Sequence, residues 1–333
     1  MPGQRTGILS IGLIGAGHFG RFHALKIAAS PRSVLSGVHD PDPERAAAVA
    51  REAGAVPVLP VDALIERSDA LVVAAPAEHH FILAARALAA GRHVLVEKPI
   101  AATVDEADRL AELAARNGRV LQVGHLLRFS AEHAAITSRI SRPLYIEATR
   151  IAPFRPRGTD VSVILDLMIH DLDLVLSIVD SPIEGVDALG AAVSSAHEDI
   201  ANARVRFRNG CVAAITASRI SLKTERRMRL FGEEGYLSAD FVSRELIMIG
   251  RERGLPLPGT GGFRREAVSW RDHDTLAREH EAFCAACLDG APVLVDAAAG
   301  RRALAAAIAV SDGIAESRRR MELSGLIHSP PTA

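Results

Sequence analysis

The first third of the chain alternates short apolar runs with amphipathic stretches. Continuous apolar runs predict five strands, at residues 8–14, 34–39, 70–75, 93–96 and 120–123. Apolar positions at helical spacing predict four helices between them, at residues 18–29, 43–53, 79–90 and 104–117. Strands that are apolar throughout are typical of a parallel sheet covered by helices on both faces. The pattern therefore predicts a doubly wound α/β Rossmann-type domain over residues 1–123.

Beyond residue 123, apolar and polar residues alternate instead. Ala203, Val205 and Phe207 alternate with arginines, and Asn209-Gly210 follows, a dipeptide typical of hairpins. Comparable strands are predicted at residues 144–151, 212–218, 228–231, 236–239 and 246–249, and helices at residues 161–179, 274–288 and 296–319. Residues 252–264 are rich in proline and glycine and predict a loop. We expect residues 124–333 to form an α+β domain with a large, mostly antiparallel open sheet.

Composition narrows the class of protein. The 333 residues are 48% hydrophobic, which excludes intrinsic disorder. Lys and Arg number 39 against 40 Asp and Glu, a balance of −1, so we expect no nucleic-acid partner. The uncharged stretch at residues 7–20 is too short to span a bilayer, and we expect no membrane association.

The chain has three cysteines, too few for a disulfide framework, which indicates a reducing compartment and a cytoplasmic protein. Cys284 and Cys287 form a CxxC motif within a predicted helix. No second pair of Cys or His at zinc spacing accompanies them, so we expect buried core thiols and not a metal site.

A glycine-rich motif follows the first predicted strand and opens the first predicted helix. In this context the glycines of Gly15-Ala16-Gly17-His18-Phe19-Gly20 let backbone amides and a helix N-terminus approach a pyrophosphate. Asp40 ends the second strand, where a carboxylate accepts hydrogen bonds from an adenosine ribose and repels a 2′-phosphate. The alternative for Asp40 is a turn residue before Pro41. The motif predicts binding of NAD.

Two further groups of residues predict oxidoreductase chemistry. Glu97-Lys98-Pro99 ends a predicted strand, at the rim where open α/β sheets bind ligands. Asp166 and His170 are four residues apart in a predicted helix and so share one face. A carboxylate beside an imidazole raises its basicity, as a base that deprotonates an alcohol requires. Hydride transfer to a nicotinamide needs no metal, so we expect none.

These motifs together resemble the Gfo/Idh/MocA oxidoreductase family. The resemblance is carried by GLIGAGHFGRFHA at residues 12–24, the loop at residues 76–80, AGRHVLVEKPIA at residues 90–101 and the Asp166/His170 pair. It implies a Rossmann domain followed by a domain with a large open sheet, and catalysis by Lys98, Asp166 and His170. It also implies that NAD is bound by Gly15, Gly17, His18, Phe19, Gly20, Asp40, Ala75, Pro76, His80, Glu97 and Lys98.

The stretch at residues 152–173 is similar to the branch of this family that includes the UDP-N-acetylglucosamine 3-dehydrogenases. The implied activity is oxidation of a sugar's secondary hydroxyl, with Lys98, Asp166 and His170 contacting a nucleotide sugar. Arg155 and Arg157 are candidates for binding its diphosphate, the alternative being solvated loop charges.

Two other functions remain as hypotheses. One is a dehydrogenase of a free polyol or inositol, and the other is a non-catalytic NAD-binding regulator. The resemblance also implies a homodimer or homotetramer.

Overall fold

The chain divides into two compact units. The computed structural model describes residues 7–155, 161–271 and 273–326. The first unit runs through Ser130 and includes Asp274–Leu304, and the second comprises Ala131–His273 and the chain from Ala305 onward. The sequence-based division places one boundary after residue 123, whereas in the structure a C-terminal segment returns to the first unit.

The first unit is built on five parallel strands in the order β2-β1-β3-β4-β5. The strands are β1 (Leu9–Ile14), β2 (Ser33–His39), β3 (Ala70–Val73), β4 (His93–Glu97) and β5 (Leu121–Gly124). The helices between them are α1 (His18–Ala29), α2 (Pro43–Glu52), α3 (Val61–Glu66), α4 (His80–Ala89) and α5 (Val104–Asn117). Short 3₁₀ turns occupy Ala77–His79 and Leu126–Phe129. The parallel sheet expected from the apolar runs is confirmed.

Local sequence signals set the ends of these helices. Asp42 caps α2 by accepting from two backbone N–H groups, and Pro43 fits the first turn because it needs no hydrogen-bond acceptor there. Thr103 and Glu106 form a reciprocal capping box at the start of α5, and Gly118 ends this helix in the left-handed conformation. These local signals therefore determine where α2 begins and where α5 begins and ends.

The second unit contains a nine-stranded sheet in the order β13-β14-β12-β11-β10-β6-β9-β8-β7, in which only β6 and β9 pair in parallel. The strands are β6 (Pro143–Ile151), β7 (Ile183–Ala191), β8 (Ile200–Phe207), β9 (Val212–Ser218), β10 (Glu225–Gly232), β11 (Gly235–Asp240), β12 (Glu245–Gly250), β13 (Leu255–Pro256) and β14 (Arg264–Ser269). Its helices are α6 (Ala131–Thr137), a π-helix (Ile164–Met168) and α7 (Ile169–Ile178). The predicted large, mostly antiparallel sheet is confirmed.

The two faces of this sheet differ in burial. Ile146 and Ala148 on β6, and Met228 and Leu230 on β10, are all at most 2% exposed. They share one face, on which α7 packs against β6 and β9, and α6 packs against β11 and β12. The intervening residues, among them Tyr145, face the other side and remain accessible. We call these the covered face and the open face.

Two C-terminal helices, α8 (Thr275–Asp289) and α9 (Ala297–Leu323), follow the second sheet along the chain. Phe283 and Cys284 of α8 lie in the hydrophobic core of the first unit with β1. Burial raises the pKa of the Cys284 and Cys287 thiols, which agrees with inert core cysteines. The residue Val123 of β5 donates its N–H to the carbonyl of Val295. The returning segment therefore completes the first unit.

No helix among the described residues is both long enough and apolar enough to cross a membrane.

Candidate active site

The turn between β1 and α1 depends on two of its glycines. Gly15 has φ +98°, and a Cβ there would lie 2.5 Å from the carbonyl oxygen of Ala74. A Cβ on Gly20 would lie 1.9 Å from the carbonyl oxygen of Gly15. Any side chain at either position would therefore force the turn apart. At Gly17, by contrast, an added Cβ would meet no atom within 4 Å, so this glycine leaves the surface of the turn open.

The N-terminus of α1 is suited to an anion. Gly17 is its N-cap, no described side chain caps the first turn, and that turn carries no acidic residue. His18 and Phe19 are exposed beside it. Its N–H groups and the positive end of the helix dipole therefore fit the pyrophosphate of a dinucleotide.

Asp40 lies directly behind this turn. Its side chain is buried and accepts hydrogen bonds from the N–H of Ala16 at 2.7 Å and of Asp42 at 2.9 Å. The guanidinium of Arg45 lies 3.8 Å from its Oδ1. Asp40 therefore fixes the glycine-rich turn, and each carboxylate oxygen keeps a second lone pair with which to accept a ribose hydroxyl.

His80 connects two of the predicted cofactor loops. Its Nδ1 lies 2.7 Å from the carbonyl oxygen of Pro99, and its Nε2 lies 2.8 Å from that of Ala75, next to Pro76. Burial lowers the pKa of this histidine, and the ring is only 1% exposed. His80 therefore holds the 75–76 loop against the turn after β4.

Glu97 and Lys98 at the end of β4 point to different surroundings. Lys98 is half-buried, and its N–H donates to Glu97 Oε2 at 3.2 Å. The Glu97 side chain is buried, and its Oε1 lies 2.8 Å from Nε2 of His23 on α1. Burial opposes ionisation of Glu97, but the hydrogen bond and charge of His23 and the charge of Lys98 together lower its pKa. Glu97 is thus an interior carboxylate immediately beside the candidate catalytic lysine.

Sequence reasoning missed a buried cluster around Glu97. The Nδ1 of His23 lies 2.9 Å from Nε2 of His280, and both rings are buried. Glu279 is fully buried, and neither of its carboxylate oxygens has a hydrogen-bond partner within the described part of the chain. Burial and the charge of Glu97 raise the pKa of Glu279 well above its ordinary value, and burial lowers that of His280. Glu97 therefore favours its ionised form and Glu279 its neutral form.

The same cluster has the donors of a cation site, since ligand atoms of His23, Glu97 and Glu279 lie within 4.8 Å of one another. His23 Nε2 is, however, already hydrogen-bonded to Glu97, and Glu279 favours its neutral form. We therefore interpret the cluster as a buried hydrogen-bonded chain of His280, His23 and Glu97 with the neutral Glu279 beside it. Its members are far apart in the sequence, and the only available signal was a histidine at an apolar helix position.

In the second unit, Asp166 and His170 lie at the junction of the π-helix and α7. Both side chains are half-buried. Asp166 belongs to the π-helix, and His170 is the second residue of α7. The sequence predicts one continuous α-helix here, and the π-helical turn, a feature frequent at functional sites, was missed.

A buried ion pair fixes the start of α7. Arg150 at the end of β6 donates two hydrogen bonds of 2.8 Å to the carboxylate of Asp171. Both side chains are almost entirely buried. Asp171 therefore anchors the start of α7, directly after His170.

Of the two arginines predicted to contact a diphosphate, one lies within the described residues. Arg155 lies beyond the end of β6 and is exposed. Arg157 lies outside the described residues. In the first unit the structure thus brings together the glycine-rich turn, Asp40 and the 75–76 loop, and in the second it brings together Asp166, His170 and the end of β6.

Family models match both units of the chain. Residues 9–125 match the GFO_IDH_MocA model, described as an oxidoreductase family with an NAD-binding Rossmann fold. Residues 135–238 match the GFO/IDH/MocA C-terminal domain.

Individual relatives resemble the chain over nearly its whole length. UDP-N-acetylglucosamine 3-dehydrogenase of Acidithiobacillus ferrooxidans is 43% identical over 303 residues, which cover 90% of this chain and 95% of that protein. A solved structure of that enzyme superimposes with a TM-score of 0.87 at 42% identity, covering 92% of this chain and 97% of that one. Myo-inositol 2-dehydrogenase of Thermotoga maritima is 25% identical over 329 residues, covering 93% and 97%.

Proposed function

The chain belongs to the Gfo/Idh/MocA family of NAD-binding oxidoreductases, and from this premise we infer that it is an NAD-dependent nucleotide-sugar dehydrogenase. The substrate we propose is UDP-N-acetylglucosamine, whose 3-hydroxyl is oxidised to a ketone. The observation that carries this inference is the 43% identity to a UDP-N-acetylglucosamine 3-dehydrogenase across 95% of that enzyme.

The residues of the first unit fit the cofactor. The open N-terminus of α1 binds the pyrophosphate, and Gly17 lets it approach the backbone. Asp40 accepts hydrogen bonds from the adenosine ribose. His18, Phe19, Ala75 and Pro76 border the same site, while His80 and Glu97 act from the interior. Bound NAD supplies the hydride acceptor for the reaction.

His170, Lys98 and Asp166 carry the chemistry in this proposal. His170 takes the proton of the substrate hydroxyl, and the hydrogen on the same carbon leaves as hydride for NAD. The carbon–oxygen single bond thereby becomes the double bond of a ketone. The Lys98 ammonium stabilises the negative charge that develops on the reacting oxygen. Asp166 orients His170 and stabilises its protonated form. Lys98, Asp166 and His170 therefore also contact the substrate.

The test is a direct assay of the purified protein. We expect formation of NADH, followed by its absorbance, when NAD is supplied with UDP-N-acetylglucosamine, together with a product two mass units lighter than the sugar nucleotide. A response to UDP-N-acetylglucosamine but not to free N-acetylglucosamine supports a nucleotide-sugar enzyme. No turnover of any nucleotide sugar contradicts the proposal.

The similarity to myo-inositol 2-dehydrogenase supports oxidation of a free polyol as a second candidate function. Its lower identity of 25% makes it the weaker candidate. Turnover of inositols in the same assay favours this function. Binding of NAD without turnover of either substrate class favours the non-catalytic regulator.

We propose further that the protein is a cytoplasmic homodimer or homotetramer joined through the open face of the second sheet. Tyr145, Phe231 and Tyr236 form adjacent ring contacts on that face, with centroids 5.8 Å and 5.1 Å apart. Aromatic side chains are enriched at protein interfaces. Analytical ultracentrifugation tests this: a monomeric wild-type protein at micromolar concentration contradicts it.

A further inference from the structure

Arg226 occupies a distinctive place on the covered face of the second sheet. It lies on β10 directly opposite Arg150 of β6 in the antiparallel register. Residues two apart on a strand share a face, so Arg226 projects to the same side as Met228 and Leu230, which are fully buried. Arg226 is accessible to solvent, and it therefore lies where the covered face meets solvent.

This position adjoins the element that carries His170. The opposing Arg150 forms the two hydrogen bonds to Asp171, and Asp171 follows His170 directly in α7. Arg226 is thus one strand away from the pair that fixes the start of this helix. Arg155, four residues beyond Ile151 at the end of β6, belongs to the same neighbourhood, since its charge acts on Arg226.

The charges around Arg226 are unbalanced. The charge of Arg150 is matched by Asp171, whereas neither Arg226 nor Arg155 makes an ion pair or hydrogen bond with another described side chain. Partial burial lowers the pKa of the Arg226 guanidinium, the positive charges of Arg150 and Arg155 lower it further, and the charge of Asp171 opposes them. Two guanidinium groups without a counter-ion among the described residues, held together beside the helix that carries His170, attract an anion.

We propose that Arg226, with Arg155, forms the subsite that binds the diphosphate of the nucleotide-sugar substrate. A guanidinium donates paired hydrogen bonds that match the oxygens of a phosphate group. In a nucleotide sugar the diphosphate is attached to C1, two ring carbons from C3, so its binding site must lie near the base that acts on the 3-hydroxyl. The inference rests on the proposed function and names the part of the second unit that recognises the nucleotide.

The strand pattern distinguishes Arg226 from its neighbour. In Glu225-Arg226-Arg227-Met228 the two arginines point to opposite faces, and Arg227 lies 3.5 Å from Asp240, its partner on the neighbouring strand β11. Arg227→Ala removes the same charge one residue away from the proposed subsite. It is therefore the matched control for Arg226→Ala.

The experiment measures binding of UDP and of uridine by calorimetry, in saturating NADH so that the dinucleotide site is filled. We expect Arg226→Ala to weaken UDP binding by roughly 10- to 100-fold, as loss of a charge-assisted hydrogen bond predicts. Uridine binding should stay within about twofold, because uridine has no phosphate. Arg226→Lys should lie between wild type and Arg226→Ala, and Arg227→Ala should match wild type.

Kinetics supply the second measurement. Arg226→Ala should raise the KM for UDP-N-acetylglucosamine by a similar factor, with a smaller change in kcat and an unchanged KM for NAD. Retained NADH binding and an unaltered melting temperature confirm that the variant is folded.

Three outcomes would contradict the proposed subsite. They are wild-type affinity of Arg226→Ala for UDP, equal losses for UDP and uridine, or a wild-type protein that binds no UDP. A protein that binds UDP through Arg226 but does not oxidise UDP-N-acetylglucosamine instead contradicts the proposed function and leaves the subsite standing, because the binding measurement does not depend on turnover.

Discussion

At the residue scale, Glu97 and Glu279 show how surroundings decide the protonation of identical side chains. Glu97 receives a hydrogen bond from His23 and a backbone N–H, which together stabilise its ionised form. Glu279 is fully buried, receives no hydrogen bond from any residue that the structure describes, and lies beside the charge of Glu97. Two carboxylates at such close range do not both ionise.

We predict that Glu279→Gln makes stability less dependent on pH. The folded pKa of Glu279 lies above the unfolded value of about 4.3. The contribution of this residue to the stability of the fold is therefore fully present below about pH 4 and is lost as pH rises through the folded pKa. The glutamine is neutral throughout. Between about pH 4 and the folded pKa, the free energy of unfolding of Glu279→Gln should therefore rise relative to that of wild type by up to about 1.4 kcal/mol per pH unit.

Urea unfolding at several pH values between 4 and 8 checks this prediction. Glu281→Gln is the control, because Glu281 is exposed on the same helix beside Arg278. Parallel pH profiles for wild type and Glu279→Gln would show that Glu279 is ionised in the fold.

We predict that His170→Ala and Lys98→Ala each reduce kcat by about 10² to 10⁴, the range for a positioned acid/base group. NADH binding, followed by fluorescence, should change little in His170→Ala. His197→Ala replaces an exposed histidine of the same unit and should retain wild-type turnover. If both active-site variants keep their turnover, the assigned residues are wrong.

We predict that Asp40→Ser lowers the preference for NAD over NADP at least tenfold in kcat/KM, because it removes the carboxylate that repels a 2′-phosphate. Arg45, 3.8 Å from Asp40, then keeps Asp42 as a carboxylate partner, at 3.3 Å, and with one fewer negative charge beside it favours the extra phosphate. Asp62→Ser, at an exposed site paired with Arg86, serves as control. A wild-type enzyme that already prefers NADP contradicts the ribose role of Asp40.

At the element scale, the start of α7 is held to the sheet by the Arg150–Asp171 pair, while the preceding turn is π-helical. The pair satisfies two buried charges with two hydrogen bonds, and it joins the end of β6 to the residue after His170. The orientation of this helix, and with it of His170, therefore depends on one ion pair.

We predict that Asp171→Asn destabilises the protein by about 3–5 kcal/mol, because it leaves the Arg150 charge buried without a partner. Asp187→Asn breaks an exposed pair with Arg206 and should cost under about 1 kcal/mol. Chemical denaturation followed by circular dichroism gives both values. A loss for Asp171→Asn as small as that of the control would show that water reaches the pair.

Elements with a strong local pattern were predicted from the sequence, and the rest were not. The strands of both sheets were found where apolar residues run continuously or alternate over a buried face. The element α3 is only six residues long, and β7 and β14 have few buried positions, so none of the three gives a clear periodicity. The contacts of His23, Glu97 and Glu279 arise from tertiary packing, which no local pattern encodes.

At the scale of the whole molecule, the first unit is discontinuous in sequence. Phe283 and Cys284 of α8 are fully buried in the core that contains β1. The core of the first unit therefore includes side chains made after the entire second sheet. A sequence pattern read in order places a boundary near residue 123 but does not show that the chain returns.

We predict that residues 1–130 alone do not unfold cooperatively, because their core lacks α8. The same residues joined by a flexible linker to residues 274–304 should show a cooperative thermal transition and bind NADH. Circular dichroism and calorimetry distinguish the two fragments. A cooperative transition in the shorter fragment would support an independent domain ending near residue 123.

The late position of α8 has a consequence for biosynthesis. Chains emerge from the ribosome N-terminus first, and most domains fold as they emerge. Here β1 and α1 leave the exit tunnel long before Phe283 is translated. The apolar surface that α8 covers therefore stays exposed throughout synthesis of the second unit, and this nascent chain is a natural client for chaperones that shield hydrophobic segments.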